Sequence, residues 1–241
     1  MRVSVVIPTF NRTETLLRAL HSVREQSYRD WDALVIDDGD GRGLAAAATF
    51  RDPRIRPLAS TGKGQVAARN TALRKAQGDV IALLDDDDWW EDREHLKNIV
   101  TALKETSALV YRPCWLVHEA DGLETRRELY DLPASAASLR DNNTLIASSV
   151  AYRRTLHTEL GPFDEDVGSY WDWDWFLRVV DAGYPPLRLS PAGVCYSVRA
   201  DSTSAVPDTP KRLKNFETFR DKHGLTIVIK NHASLLAETD D

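Results

Sequence analysis

Sulfur is scarce in this chain: 241 residues hold two cysteines and a single methionine. Cys114 and Cys195 sit in apolar, strand-like contexts, so buried thiols in a reducing compartment are expected rather than a disulfide framework. Long apolar runs are missing too, and none approaches the ~18 residues that a membrane-spanning helix needs. The opening MRVSVVIPTF carries one arginine and a short apolar run that Pro8 and Asn11 end. No small-residue cleavage site follows, so it reads as a first strand and not as a signal peptide. Positive charge is not in excess: 31 Lys and Arg face 37 Asp and Glu, giving a net charge of −6. A nucleic-acid-binding surface is therefore not the main business of the protein. What remains, 42% hydrophobic and 28% charged residues, suits a globular chain with room for one large domain. A cytoplasmic protein is expected, with peripheral attachment to the inner face of a membrane as the alternative.

The first half alternates short β-branched runs with helical patterns. Strands are expected at 3–7, 31–36, 55–58 and 79–84, and helices at 13–26, 44–50, 62–76 and 91–105. Thr13 would cap the first helix, with Glu14 at its positive end. This pattern predicts an α/β fold with a mostly parallel sheet flanked by helices. The second half is mixed. Strands are expected at 108–117, 144–152 and 194–198, with a polar, partly acidic excursion between the first two. An aromatic-rich helix is expected at 170–181, and a helix from Pro210 that breaks at Gly224 before a last amphipathic piece. No repeat or linker divides the chain, so a single domain over 1–241 is predicted.

Parallel sheets bind ligands outside the carboxyl ends of their strands. Three such ends are polar here: Pro8 to Arg12, Asp37-Asp38, and the run LLDDDDWW at 83–90. Like charges at ~4 Å repel by about 1 kcal/mol in water and about 4 kcal/mol near a protein surface. A divalent cation turns that repulsion into shared attraction, and Mg2+ or Mn2+ on one or two carboxylates plus phosphate oxygens suits such a place. The competing reading is a solvated acidic turn at the positive end of the next helix. The convergence of three polar strand ends favours the metal.

VSVVIPTFNR, VIDDG, GQVAARNTAL, LLDDDDWW and WDWDWFLR, in this order, resemble the glycosyltransferase family 2 pattern on a GT-A fold. The resemblance spans roughly residues 1–204. It implies a Rossmann-like nucleotide-sugar-binding half (1–105), an acceptor-binding half (106–204) and a helical tail (205–241). It also implies an inverting enzyme that moves a sugar from a nucleotide diphosphate to an acceptor hydroxyl, using Mn2+ or Mg2+. Pro8, Thr9, Phe10 and Arg12 would line the nucleoside pocket. Asp38 would accept a hydrogen bond from the base, which suits uracil or thymine and can also read guanine. A UDP-sugar is the expected donor, with TDP second. Arg69 would reach the base or diphosphate; alone it reads as a solvated helix face, and Asp38 alone as a turn residue.

Within the family's DxD triplet the matching residues are Asp85, Asp86 and Asp87. Asp87 would hold the metal and Asp85 would lie nearer the ribose. Asp88 would bind through water or cap a helix, and Trp89 or Trp90 would wall the sugar or pack in the core. Counting back from Arg178 places Asp172 at the family's catalytic base, with Trp171 where Glu is usual. Asp174 sits about 200° around the helix from Asp172 and is expected to cap or to pair with a basic group. Arg199 stands where many relatives have His; a guanidinium cannot ligate metal but clamps phosphate well. His118, His157, His223 and His232 have no partners at metal-ligand spacing. Two other readings stay open. A sugar nucleotidyltransferase would typically carry a Gly-rich basic loop after the first strand, and PTFNR has no glycine. A non-catalytic nucleotide- or carbohydrate-binding domain is favoured by Trp171 alone.

Overall fold

The first apolar run becomes strand β1 (Val3–Thr9), buried along its whole length. It is central because both faces are apolar, which is what a parallel sheet covered on two sides requires. The computed structural model describes residues 1–106, 109–120, 122–199 and 209–228. After β1 come α1 (Thr13–Arg24), β2 (Trp31–Asp37), α2 (Arg42–Ala48), β3 (Ile55–Ala59), α3 (Gln65–Lys75), β4 (Val80–Leu83), β5 (Trp89–Trp90) and α4 (His95–Glu105). The second half adds β6 (Leu109–Tyr111), β7 (Cys114–Ala120), β8 (Leu123–Tyr130), α5 (Ala136–Asp141), β9 (Val150–Arg153), α6 (Thr155–Leu160), α7 (Trp171–Asp181), β10 (Pro186–Arg188), β11 (Val194–Val198) and α8 (Pro210–His223).

Seven strands form the main sheet in the order β10-β6-β9-β4-β1-β2-β3. Only the pairs made by β9 are antiparallel. Val3, Val5 and Ile7 of β1 face one core layer with Leu16 and Leu20 of α1 and Leu96 and Ile99 of α4. Val6 faces the other, with Ala68 and Ala72 of α3 and Trp175 and Phe176 of α7. A second sheet, ordered β5-β11-β7-β8, stands at the carboxyl ends of the first and supplies the far wall of the site. Both cysteines are buried and free. Among the described residues no helix is long and apolar enough to cross a membrane.

Several expected boundaries move, each for a local reason. Thr13 is the first residue of α1; Arg12 holds the cap position and no side chain caps the helix. The helix expected at 44–50 is displaced toward the N-terminus as α2, behind a left-handed Gly41 at φ 90°. The strand expected at 108–117 splits at Arg112-Pro113 into β6 and β7, which belong to different sheets; Ala108 lies outside the described residues. Proline has no N–H for a ladder, so the chain changes sheets there. The helix expected at 91–105 begins only at His95, because Trp89–Trp90 pairs with β11 and the Glu91 and Asp92 N–H groups bond Gly193 O. The expected strand at 144–152 starts as a 3-10 turn, Ala147–Ser149, before β9. The polar excursion is a hairpin strand, β8, followed by α5. Gly224 closes α8 at φ 61°, as a left-handed C-terminal glycine should. The segment expected to follow lies mostly outside the described residues, as does His232.

Candidate active site

The carboxyl ends of β1, β2 and β4 open on a cavity of about 440 Å3. Pro8, Thr9, Phe10, Arg12, Asp38, Arg69, Asp85, Asp86 and Asp87 all line it, joined by Gly64, Gln65 and Ala68 from the α3 end and Tyr196 and Ser197 from β11. Phe10, at the lip, is 61% exposed. The two acids that end β2 divide their work. Asp37 turns inward and accepts the N–H groups of Gly39 (2.7 Å) and Leu44 (3.2 Å), which holds the turn into α2. Asp38 therefore faces the cavity, its Oδ2 accepting the Gly64 N–H at 2.6 Å. Gly64 is at φ 94°, a conformation that side chains rarely adopt, and it leads directly into α3.

Arginines reach the acidic turn from several elements. Arg12 Nη1 lies 2.5 Å from Asp87 Oδ2 and 3.7 Å from Asp86 Oδ1. Arg69 is buried, ion-paired to Asp85, and its guanidinium lies 4.1 Å over the Trp171 ring. It is no solvated helix face. Among the described residues, buried Asp86 Oδ2 and the nearby Thr9 Oγ1 have no partner at hydrogen-bond geometry. Burial pushes the Asp86 carboxyl up to about 7, against the lowering influence of Thr9 and Arg12. Asp87 is raised by burial and by Asp85, with Arg12 and Arg199 opposing. Asp88 is fully buried and raised well above the ordinary range by burial and its acidic neighbours. It accepts the Ser148 hydroxyl and, at 2.9 Å, the Ser197 N–H, so it ties the turn to the second half of the chain and caps no helix. Trp90 is core, donating from Nε1 to Ser148 O at 3.0 Å, whereas Trp89 lies under the Arg18 guanidinium at 3.8 Å. Among the described residues no three His, Cys, Asp or Glu side chains converge to cage a metal.

Asp172 and Arg199 are not among the residues that line the cavity. Asp172 is half-buried at the start of α7; burial pushes it up to about 6, Trp173, Asn143 and Arg69 pull it down, and Asp85 raises it. Arg199 stands close enough to lower both Asp87 and Glu119. Residues 200–204, the remainder of that motif, lie outside the described residues. Asp174 points the other way, to Arg178 (2.9 Å), Lys222 (2.6 Å) and His223 (2.8 Å).

Sequence reading misses four residues around the turn. Ser148 Oγ accepts the Asp85 N–H at 3.0 Å besides bonding Asp88. Glu119 pairs with Arg18 and accepts the Ser197 hydroxyl at 2.9 Å, while Arg18 Nη2 holds the Asp87 carbonyl at 3.0 Å. The β7–β8 register shifts between His118 and Glu119. Such a bulge re-aims a side chain, and nothing in an alternating strand pattern announces it.

A nucleotide-sized cavity at the carboxyl ends of a Rossmann-like sheet, walled by a second sheet and edged by carboxylates, defines a GT-A glycosyltransferase architecture. The Glycosyl transferase family 2 profile matches residues 4–161. The chain is 32% identical to the uncharacterized glycosyltransferase YwdF of Bacillus subtilis (strain 168) over 247 positions, covering 100% of this chain and 91% of YwdF. It belongs to glycosyl transferase family 2, an enzyme family. Solved GT-A structures share the fold. S. aureus TarS 1-349 in complex with UDP-GlcNAc superposes with a TM-score of 0.70 at 18% identity, over 92% of this chain and 66% of that one. The mannosyltransferase PcManGT from Pyrobaculum calidifontis, in complex with GDP-Man and Mn2+, gives 0.65 at 23% identity, over 85% and 59%. The chain thus spans under two thirds of both solved chains.

Proposed function

We propose that the protein is an inverting, metal-dependent glycosyltransferase that moves a sugar from a nucleotide diphosphate, UDP first, to an acceptor hydroxyl. The observation that carries this reading is the acidic turn: buried carboxylates face the cavity, burial raises Asp86 and Asp87 despite the arginines beside them, among the described residues one of their oxygens has no hydrogen-bond partner, and the flanking groups suit a nucleoside. Asp87, with Asp86 beside it, would hold Mn2+ or Mg2+, the remaining positions being filled by diphosphate oxygens and water. The cation would offset the negative charge of the departing diphosphate. PcManGT, whose complex holds Mn2+, supports the metal; TarS, whose complex holds UDP-GlcNAc, supports the donor class. Asp38 would accept the imide N–H of the base, and Phe10 would cover it from the lip. Arg199 would clamp the diphosphate. Asp172 would take the proton of the acceptor hydroxyl as that oxygen attacks the anomeric carbon from the face opposite the diphosphate, which inverts the configuration. Its pKa near 6 keeps it ionised at neutral pH and basic enough to accept.

Calorimetry with UDP, TDP and GDP, first in EDTA and then in Mn2+, tests the proposal. Binding should appear or strengthen at least tenfold with the cation, UDP ahead of GDP, and Asp87→Ala should remove only the metal-dependent part. Equal affinity in EDTA and Mn2+ would sink the metal. GDP ahead of UDP, the order that the GDP-Man complex of PcManGT would favour, overturns the donor. Asp38→Asn should weaken the preferred base without unfolding the chain.

A further inference from the structure

Asp172 has two carboxylate oxygens, and the fold uses them differently. Oδ1 accepts the N–H of Trp173 at 2.8 Å, an anchor within its own helix. Oδ2 is left for chemistry, and among the described residues it accepts one N–H, from Asn143 Nδ2 at 3.1 Å. The orientation of that amide is not free. Asn143 Oδ1 accepts the Leu145 N–H at 3.3 Å, so the NH2 end must face Asp172. The loop bearing Asn143 is docked on the same helix. α5, capped reciprocally by Ser135 and Ser138, ends just before it. Leu139 O of α5 accepts the Trp173 Nε1–H at 2.6 Å, and Arg140 pairs with Asp181 at 2.6 Å. Trp173 therefore ties α5 to α7 beside the very residue that Asn143 touches.

We propose that Asn143 is the positioning residue of the acceptor base: its amide holds Oδ2 of Asp172 in one orientation and favours the ionised carboxylate. The inference rests on the reading of Asp172 as the base. The charged groups that face Asp172 are Arg69 from α3 and Asp85 from the turn after β4. They act in opposite senses, so the neutral amide is the adjustable element. A neutral donor stabilises a carboxylate without becoming an ion pair, so the oxygen remains able to accept a proton.

The test is a carboxylate titration by NMR on the full chain labelled with 13Cγ-aspartate, the Asp172 signal being identified by its loss in Asp172→Asn. A hydrogen bond to a charged group is worth about 1.5–3 kcal/mol, which converts to about one to two pH units. Asn143→Ala should raise the Asp172 midpoint by that amount, and Asn143→Asp should raise it at least as far by adding a negative charge. Asn143→Ser, which keeps a donor, should recover part of the shift and guards against a variant that fails to fold. In all three the other aspartate midpoints should stay within a few tenths of a unit. An Asp172 midpoint unmoved in folded Asn143→Ala and Asn143→Asp overturns the proposal. Turnover of UDP-GlcNAc in Mn2+ separates this from the base assignment. If Asp172→Asn keeps full turnover, the base reading fails even where the Asn143 midpoints move as expected; if it loses turnover while the midpoints stand still, only the Asn143 proposal fails.

Discussion

On one face of α7, Asp174 is fully buried and surrounded by Arg178, Lys222 and His223. On the opposite face, two residues earlier, Asp172 is half-buried, with Arg69 lowering its carboxyl and Asp85 working against it. The consequences differ in sign. Burial opposes ionisation of Asp174, but His223, Lys222 and Arg178 outweigh it and hold its carboxyl below the ordinary range. Burial of Asp172 outweighs the Trp173 and Asn143 hydrogen bonds and Arg69, and its carboxyl rises to about 6. A buried acid with its charge matched is a rivet; a buried acid whose burial outweighs its partners is available for chemistry. The acidic turn repeats the second condition on a larger scale, where Arg12 is the cation facing Asp86 and Asp87 most closely.

The comparison can be broken most forcefully at Asp172. Asp172→Asn should lower transfer about 10²–10⁴-fold, the usual worth of a general base, with the donor KM nearly unchanged. Near-normal turnover on a true acceptor, or product with the donor's anomeric configuration, would remove Asp172 from that role. Next in size is Asp174→Asn, which takes the carboxylate away from buried His223 and from Arg178 and Lys222, Arg178 keeping the Leu160 and Pro162 carbonyls. Breaking a fully buried pair costs about 3–5 kcal/mol, and less than about 3 kcal/mol is expected here because Lys222 and Arg178 both reach solvent. Urea unfolding should show the loss, while the folded fraction keeps its turnover. A stable Asp174→Asn protein with crippled chemistry would reverse the two assignments.

The smallest effects are in the pH dependence of stability, and they run in opposite directions. Asp172 binds its proton more tightly folded (about 6) than unfolded (about 3.9), so its ionisation weakens the fold as pH rises between those values. Asp172→Asn should therefore unfold at higher urea than the native chain at pH 7–8, and the gain should vanish toward pH 4. Asp174 has its folded pKa depressed, so its contribution is complete above about pH 4 and is lost as pH falls through the folded value. The deficit of Asp174→Asn should narrow on acidification. Urea midpoints from pH 3 to 8 check both, and parallel curves for the two variants would erase the distinction.

Much of this could be read along the chain. The alternation of β-branched runs and helical spacing is local, so the order β1 to β4 with the helices between them was legible, and with it the three polar strand ends. The separation of Asp172 from Asp174 followed from helical geometry alone. The boundaries that moved depend on partners distant in sequence: Trp89–Trp90 is a strand only because β11 lies beside it, and Pro113 marks a change of sheet only when both sheets exist. Asp88 looked like its three neighbours in the acidic run, yet Ser148 and Ser197 make it structural.

By itself, then, the sequence determined the α/β architecture, the residues gathered at the strand ends and the family to which the chain belongs, because periodicity, turn residues and motif order are local properties. Only the tertiary structure decided which carboxylates are held ionised by cations and which are raised by burial, that Glu119 is swung to Arg18 by a bulge, and that Asn143 touches Asp172. Each of these is set by contacts between residues far apart in the chain, where burial and the sign of the nearest charge are properties of the packed molecule.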